Sequence, residues 1–313
     1  MPNRNLLLFL ALCAIWETTW IGIKAGVEAV PPLLFAGTRF ITAGAILLVI
    51  SWLGEGLPRI AVADLPRLAA TSLLMITLCY AALFWGMVHV DSGTGAVLEM
   101  SLTPVALMGF ALALGEEGFD RRRLGALLLG IVGLVILFGP TAWQSWSSNR
   151  GEAAGLRLLG AGAVASAAVS YGWGSVIARP LLRLYPSALI AASTTLMGGA
   201  ILLGLSLAFE PGAIAALAGR WGAAAWAGWL FLVLFGSLLG YTIYMRLLRD
   251  IGATRAGSYA FVSPVIAVLL GMVSFGEQVR LPDIIGMSIM LTAAGLAMFE
   301  GKQKVIANTV GSG

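Results

Sequence analysis

The sequence predicts an all-α polytopic membrane protein in which ten transmembrane helices form two inverted five-helix repeats. Three observations carry that prediction. The 313 residues are 59% hydrophobic and 11% charged, with a mean hydropathy of +0.93, far from the make-up of a soluble domain. Ten apolar runs each have the length, about 20 residues, that crosses the ~30 Å hydrocarbon layer as a helix. The stretch from Thr94 to Gly133 returns in altered form from Thr254 to Gly295. Thr94, Pro104, Glu116 and Gly125 recur as Thr254, Pro264, Glu277 and Gly286, the first two pairs 160 residues apart and the last two 161. Self-similarity of this kind reports a duplicated unit and outranks local pattern.

The runs lie near 5–24, 33–53, 66–88, 93–114, 122–140, 156–178, 187–209, 223–247, 255–275 and 283–300. The first begins after Arg4 like a signal peptide, but it continues past Glu17 to Ile23 and is expected to be retained. The second carries one charge, Arg39, and the third ends beside His89 and Asp91. The fourth holds Pro104 and closes on the acidic turn at Glu116, after which Arg121, Arg122 and Arg123 precede the fifth. Trp143 and Trp146 follow the fifth, while Trp221, Trp226 and Trp229 surround the start of the eighth; both sets are expected at the membrane interface. Arg179 and Arg183 follow the sixth run, and Arg246 and Arg249 follow the eighth. The ninth contains Pro264, the counterpart of Pro104. Linkers are short, so no soluble domain fits. Residues 1–150 form the first repeat, 151–301 the second, and 302–313 a cytoplasmic tail with no assigned function.

Positive residues tend to remain on the cytoplasmic side. With the N-terminus inside, thirteen Lys and Arg residues fall on inner segments, whereas Lys24, Arg150, Arg157, Arg220 and Arg280 fall on outer ones and Arg39 lies within the second helix. Both termini are therefore expected in the cytoplasm. Five helices per half is an odd number, so the second copy enters the membrane from the opposite face. Inverted repeats of this kind are a recurring plan of secondary transporters, with the substrate site near the midplane where the halves meet.

The residues also resemble a known family. Pro31-Pro32-Leu33 to Thr38-Arg39-Phe40, Gly95-Ala96, Pro104, Gly115-Glu116 and Gly125 to Gly133 are similar to the drug/metabolite transporter superfamily, in its ten-helix EamA type. Gly240-Tyr241, Ile251-Gly252-Ala253-Thr254, Pro264, Gly276-Glu277 and Gly286 to Gly295 extend the resemblance through the second half. The likeness spans nearly the whole chain and is nearest to bacterial exporters of aromatic amino acids. It implies a multi-pass protein of the bacterial inner membrane that exports small metabolites. One position departs from the pattern: Glu17 follows Trp16 where the family often has Gly.

A charge inside the membrane costs roughly 2.5–3.5 kcal/mol on insertion scales, so it needs a partner or a wet cavity. Glu17, Arg39 and Glu99 sit deep enough to face that cost. Arg39 opens the second helix and is expected to serve architecture, through an ion pair or a helix-end contact. Glu99 shares a small, polar face with Ser92, Gly95 and Thr103, and its repeat counterpart is Tyr259. Glu17 shares a face with Cys13, Trp20 and Lys24, so Lys24 is a candidate partner for it.

Thr77, Tyr80 and Phe84 form one aromatic face, Ser237, Tyr241 and Tyr244 another, and Tyr171 and Trp173 add rings on the sixth helix. Any one of these rings can be bundle packing. As a set they form a candidate wall for a flat, apolar side chain. The candidate substrate-binding residues are therefore Glu17, Trp20, Tyr80, Phe84, Glu99, Tyr171, Trp173, Tyr241, Tyr244 and Tyr259, with Pro104 and Pro264 as candidate hinges.

Other classes lack their signatures. There is no GxxxxGK[ST] loop and no HExxH pair, and the basic residues are scattered between apolar runs and form no groove for nucleic acid. One His, and two Cys (Cys13 and Cys79) buried in apolar runs, supply no metal set or disulfide framework. No cofactor and no metal is expected; the partners are the lipid bilayer and a small-molecule substrate. Amino acids with aromatic or apolar side chains are the favoured substrates, and other small metabolites or drugs are the alternative. A carboxylate that accepts either a proton or an ammonium would support proton-coupled exchange, and a facilitative cycle would need none.

Overall fold

The computed structural model describes residues 3–54, 58–90, 92–148, 153–275 and 280–298. It is helical throughout, without strands among the described residues. The first half comprises α1 (Asn3–Val27), α2 (Pro32–Gly54), α3 (Val62–His89), α4 (Ser92–Ala113) and α5 (Arg121–Ser148). The second comprises α6 (Ala153–Leu184), α7 (Ser187–Phe209), α8 (Ala223–Ile251), α9 (Tyr259–Phe275) and α10 (Leu281–Met298). Each of the ten apolar runs is a helix. Among the described residues nine helices are long and apolar enough to cross a membrane, and the ninth run divides into a helical turn at Ala253–Gly257 followed by α9. Asp91, Asn149, Glu277 and the tail from Lys302 lie outside the described residues.

Glycine sets how closely the helices approach. A Cβ on Gly37 would stand 2.7 Å from the backbone nitrogen of Leu203, and one on Gly44 would stand 2.8 Å from that of Leu196. As the chain ascends α2 its contacts descend α7, so these two helices pack backbone to backbone in opposite directions. The pair α5 and α10 behaves alike. Gly133 lies against Met290 and Gly286, while Leu137 meets Gly286. In membranes such small-residue seams replace the hydrophobic drive that packs helices in water.

Two of the helices change pitch midway. Leu73–Leu78 in α3 and Leu232–Tyr241 in α8 are π-helical. The two stretches hold Thr77 and Ser237, which are 160 residues apart. A π turn disturbs the regular ladder and is frequent at functional positions. Polar side chains secure the first stretch: Ser170 of α6 donates to the Leu74 carbonyl at 2.8 Å, and Thr77 donates to the Gly198 carbonyl of α7 at 3.2 Å. Ser72, just before it, donates to the Thr194 carbonyl at 2.7 Å.

Candidate functional site

A cavity of about 110 Å³ lies among α1, α2, α3, α4, α6, α8 and α9. Two acids line it, Glu17 of α1 and Glu99 of α4, together with the one arginine Arg39 of α2. Trp16, Phe40, Tyr80, Tyr171, Tyr241 and Tyr259 supply rings, and Thr103, Ser237 and Ser263 supply hydroxyls. Glu99 and its repeat counterpart Tyr259 thus both face the same space. So do Ser237 and Tyr241, which the π stretch of α8 carries to the wall.

Trp16 is the hub of the ring cluster. Its centroid lies 4.7 Å from that of Tyr259, 5.1 Å from that of Tyr244 and 6.4 Å from that of Tyr171. Its indole also fills the space beside Gly240, where a Cβ would stand 2.7 Å from Nε1. The hydroxyl groups behind the wall are tied down: Tyr244 donates to Ser175 Oγ at 3.0 Å, and Tyr241 and Thr194 share a hydrogen bond of 3.2 Å. On the opposite wall Tyr80 meets Phe40 edge-on at 4.8 Å.

The cavity charges do not neutralise one another. Arg39 is 3% exposed, and its Cζ stands 4.3 Å from the Phe40 ring centre and 5.1 Å from that of Tyr80. Its Nε and Nη2 find no hydrogen-bond partner among the described residues, and neither does Oε2 of Glu17. Among the described residues no ion pair to Arg39 is formed; Phe40 and Tyr80 pack against the guanidinium beside the cavity. Lys24 does not reach Glu17 either, being nearly two helical turns further along α1.

The other sequence-derived candidates are distributed as follows. Glu17, Tyr80, Glu99, Tyr171, Tyr241 and Tyr259 line the cavity. Phe84 lies one turn beyond Tyr80 and backs it at 5.8 Å, off the wall. Tyr244 is fully buried behind the wall, stacked on Tyr171 at 5.4 Å. Trp173 is a correction: it is 44% exposed and stacks on Phe110 at 5.6 Å. Two residues past Tyr171 is about 200° around a helix, so the two rings cannot share a face. The side chain of Trp20 lies outside the described ones. Pro104 and Pro264 both sit inside their helices.

Sequence reading passed over Trp16 and Phe40 as site residues and gave Arg39 a structural part only. The signal was adjacency, since Trp16 and Phe40 each neighbour a membrane-embedded charge in the chain. Elsewhere, Cys13 and Cys79 are buried and free. His89 accompanies Trp85 of its own helix, with Nδ1 2.8 Å from the Trp85 carbonyl oxygen. Trp221, expected at the interface, is buried against Phe35 and Trp226 and donates to the Ala216 carbonyl at 2.7 Å.

A second charged cluster joins the halves away from the cavity. Glu117, in the turn after α4, accepts from Arg123 at 2.9 Å, from Arg179 of α6 at 3.4 Å and from the backbone nitrogens of Ala253 and Thr254. Glu116 pairs with Arg179 and Arg183. Gly252 turns the chain here with φ +90°, and a Cβ on it would meet Glu117 Oε1.

Apolar helices of membrane-spanning length around a mixed polar and aromatic cavity define a membrane transporter class, and comparison with known proteins names the family. Residues 3–139 and 158–299 match the EamA-like transporter family, and the chain belongs to it. It is 31% identical over 308 residues to an uncharacterised inner membrane transporter of Escherichia coli K12, YedA, covering 94% of this chain and 92% of that one. It is 27% identical over 289 residues to an uncharacterised transporter of Bacillus subtilis, YoaV, covering 92% of this chain and 94% of that one. A solved crystal structure overlaps 95% of this chain and 98% of its own with a TM-score of 0.77 at 18% identity, a likeness of fold. The protein is thus a multi-pass membrane transporter.

Proposed function

We propose that this transporter exports small metabolites from the cytoplasm by alternating access, with amino acids bearing aromatic or apolar side chains as its substrates. The observation that carries the reading is one cavity in which the half-buried acids Glu17 and Glu99 meet a wall of six aromatic rings. An ammonium seeks the first and a flat apolar side chain the second. The volume, about 110 Å³, is below the ~300–1,000 Å³ of sites that hold drug-sized ligands, which favours small metabolites.

The opposed courses of α2 with α7 and of α5 with α10 support two inverted halves, residues 1–150 and 151–301. On that plan both termini are cytoplasmic, and the Glu116–Glu117 cluster closes the cytoplasmic end between the halves while the cavity lies toward the other. Export then requires the cluster to open and re-form in each cycle. Pro104 and Pro264, each of which removes a backbone donor from a helix bordering the cavity, are the hinges of that exchange. Glu99 carries a proton on the return stroke, in exchange for the ammonium of the substrate.

Proteoliposomes loaded with unlabelled solute and supplied outside with labelled phenylalanine, tryptophan, leucine, glutamate, glucose or uridine test the substrate class by counterflow. Accumulation of the first three is expected. Accumulation of sugar or nucleoside with none of the amino acids would overturn it.

A further inference from the structure

We infer that Arg39 is the anchor for a substrate carboxylate, so that the cavity selects zwitterions over amines of the same shape. The inference rests on the reading of this cavity as the substrate site and adds the group that recognises the other end of the molecule.

The guanidinium keeps its proton at any physiological pH. It is almost wholly buried, yet no ion pair joins it to Glu17 or Glu99, although both acids line the same cavity. Phe40 and Tyr80 both pack against it, their ring centres 4.3 and 5.1 Å from Cζ. Nε and Nη2, two buried donors without hydrogen-bond partners among the described residues, are neighbours on one side of the guanidinium. Adjacent donors of this kind bind a carboxylate through two parallel hydrogen bonds. Gly236 and Ser237 line the same cavity as Arg39, and a Cβ on Gly236 would stand 3.9 Å from Nη1.

A permanent cation and two acids held apart in one small cavity make a lining that is positive at one place and negative at another. An α-amino acid carries the complementary pair of charges a few bonds apart. An amine without the carboxylate would leave the Arg39 edge buried and unpaired, and an unmet donor in such a site is penalised more than a merely absent contact. The same layout disfavours a plain carboxylic acid, which would leave the acids unanswered.

The test uses the full-length protein in proteoliposomes and three probes: phenylalanine, phenethylamine without the carboxylate, and 3-phenylpropionate without the ammonium. In the wild-type protein each of the two lesser probes should inhibit phenylalanine counterflow about tenfold or more weakly than phenylalanine does, the loss of one charged hydrogen-bonding group. Arg39→Gln should lower phenylalanine affinity and bring phenylalanine and phenethylamine to near equality, while Arg39→Lys, which keeps the charge and loses the paired donors, should fall between. Equal inhibition by phenylalanine and phenethylamine in the wild-type protein, or unchanged discrimination in a folded Arg39→Gln, would overturn it and leave the substrate reading standing. Transport of none of the three would overturn both.

Discussion

Glu117 Oε1 accepts the backbone N–H of Ala253 at 2.5 Å, a bond that ties the turn after α4 to the start of the α9 region in the other half. Glu117 also receives Arg123 and Arg179, and its carboxylate is largely buried. Removing one member of such a network leaves the others as buried charges without a partner. Glu117→Ala should therefore lower stability by about 3 kcal/mol, read as a lower unfolding temperature in detergent. Glu117→Gln, which can still accept one backbone N–H, should lose less. Equal melting of all three proteins would show that the cluster does not hold the halves together.

The seam between α2 and α7 gives a contrast between two glycines. Any side chain on Gly37 meets the α7 backbone at 2.7 Å, whereas nothing lies within 4 Å of a Cβ on Gly204. Gly37→Val should abolish recovery of monodisperse protein, because backbone cannot yield as a side chain can. Gly204→Ala should be neutral or stabilising by up to about 1 kcal/mol from helix propensity. Good recovery of Gly37→Val would mean that the close approach is dispensable.

Most of the fold was legible in the chain because a membrane demands apolar runs of fixed length, and all ten runs are helices. The site was legible in part. Glu99 and Tyr80 line the cavity, and each left a pattern in the sequence, an embedded acid and a helical stripe. Trp173 was misplaced because proximity in sequence to Tyr171 was allowed to outweigh the turn of the helix between them. The place of Arg39 at the cavity was not legible, because its neighbours there, Phe40 apart, come from helices that sequence alone does not bring together. Trp16 had no such pattern; its place at the centre of three rings depends on where α6, α8 and α9 meet α1.

Pro104 and Pro264 offer a kinetic test. If they are hinges, Pro104→Ala and Pro264→Ala should each slow counterflow severalfold while leaving the half-saturating substrate concentration nearly unchanged, since stiffer helices impede the exchange between states more than they alter the cavity. Wild-type rates in both variants would leave the prolines as static bends.

The proposed inverted arrangement makes a simple demand on topology. Reporter fusions at Arg122 and Arg183 should report cytoplasm, and a fusion at Asn149 the opposite side. A cytoplasmic reporter at Asn149 would place both halves in the same orientation.

The central claim is that Glu99 meets either the substrate ammonium or a proton in the cavity, and Glu99→Gln keeps the shape of the side chain while removing its charge. In folded, membrane-inserted protein, phenylalanine counterflow measured across a range of pH should show about a tenfold higher half-saturating concentration and a flattened pH dependence compared with the wild-type protein. Uptake identical to wild type at every pH would contradict the claim and return Glu99 to the scaffold.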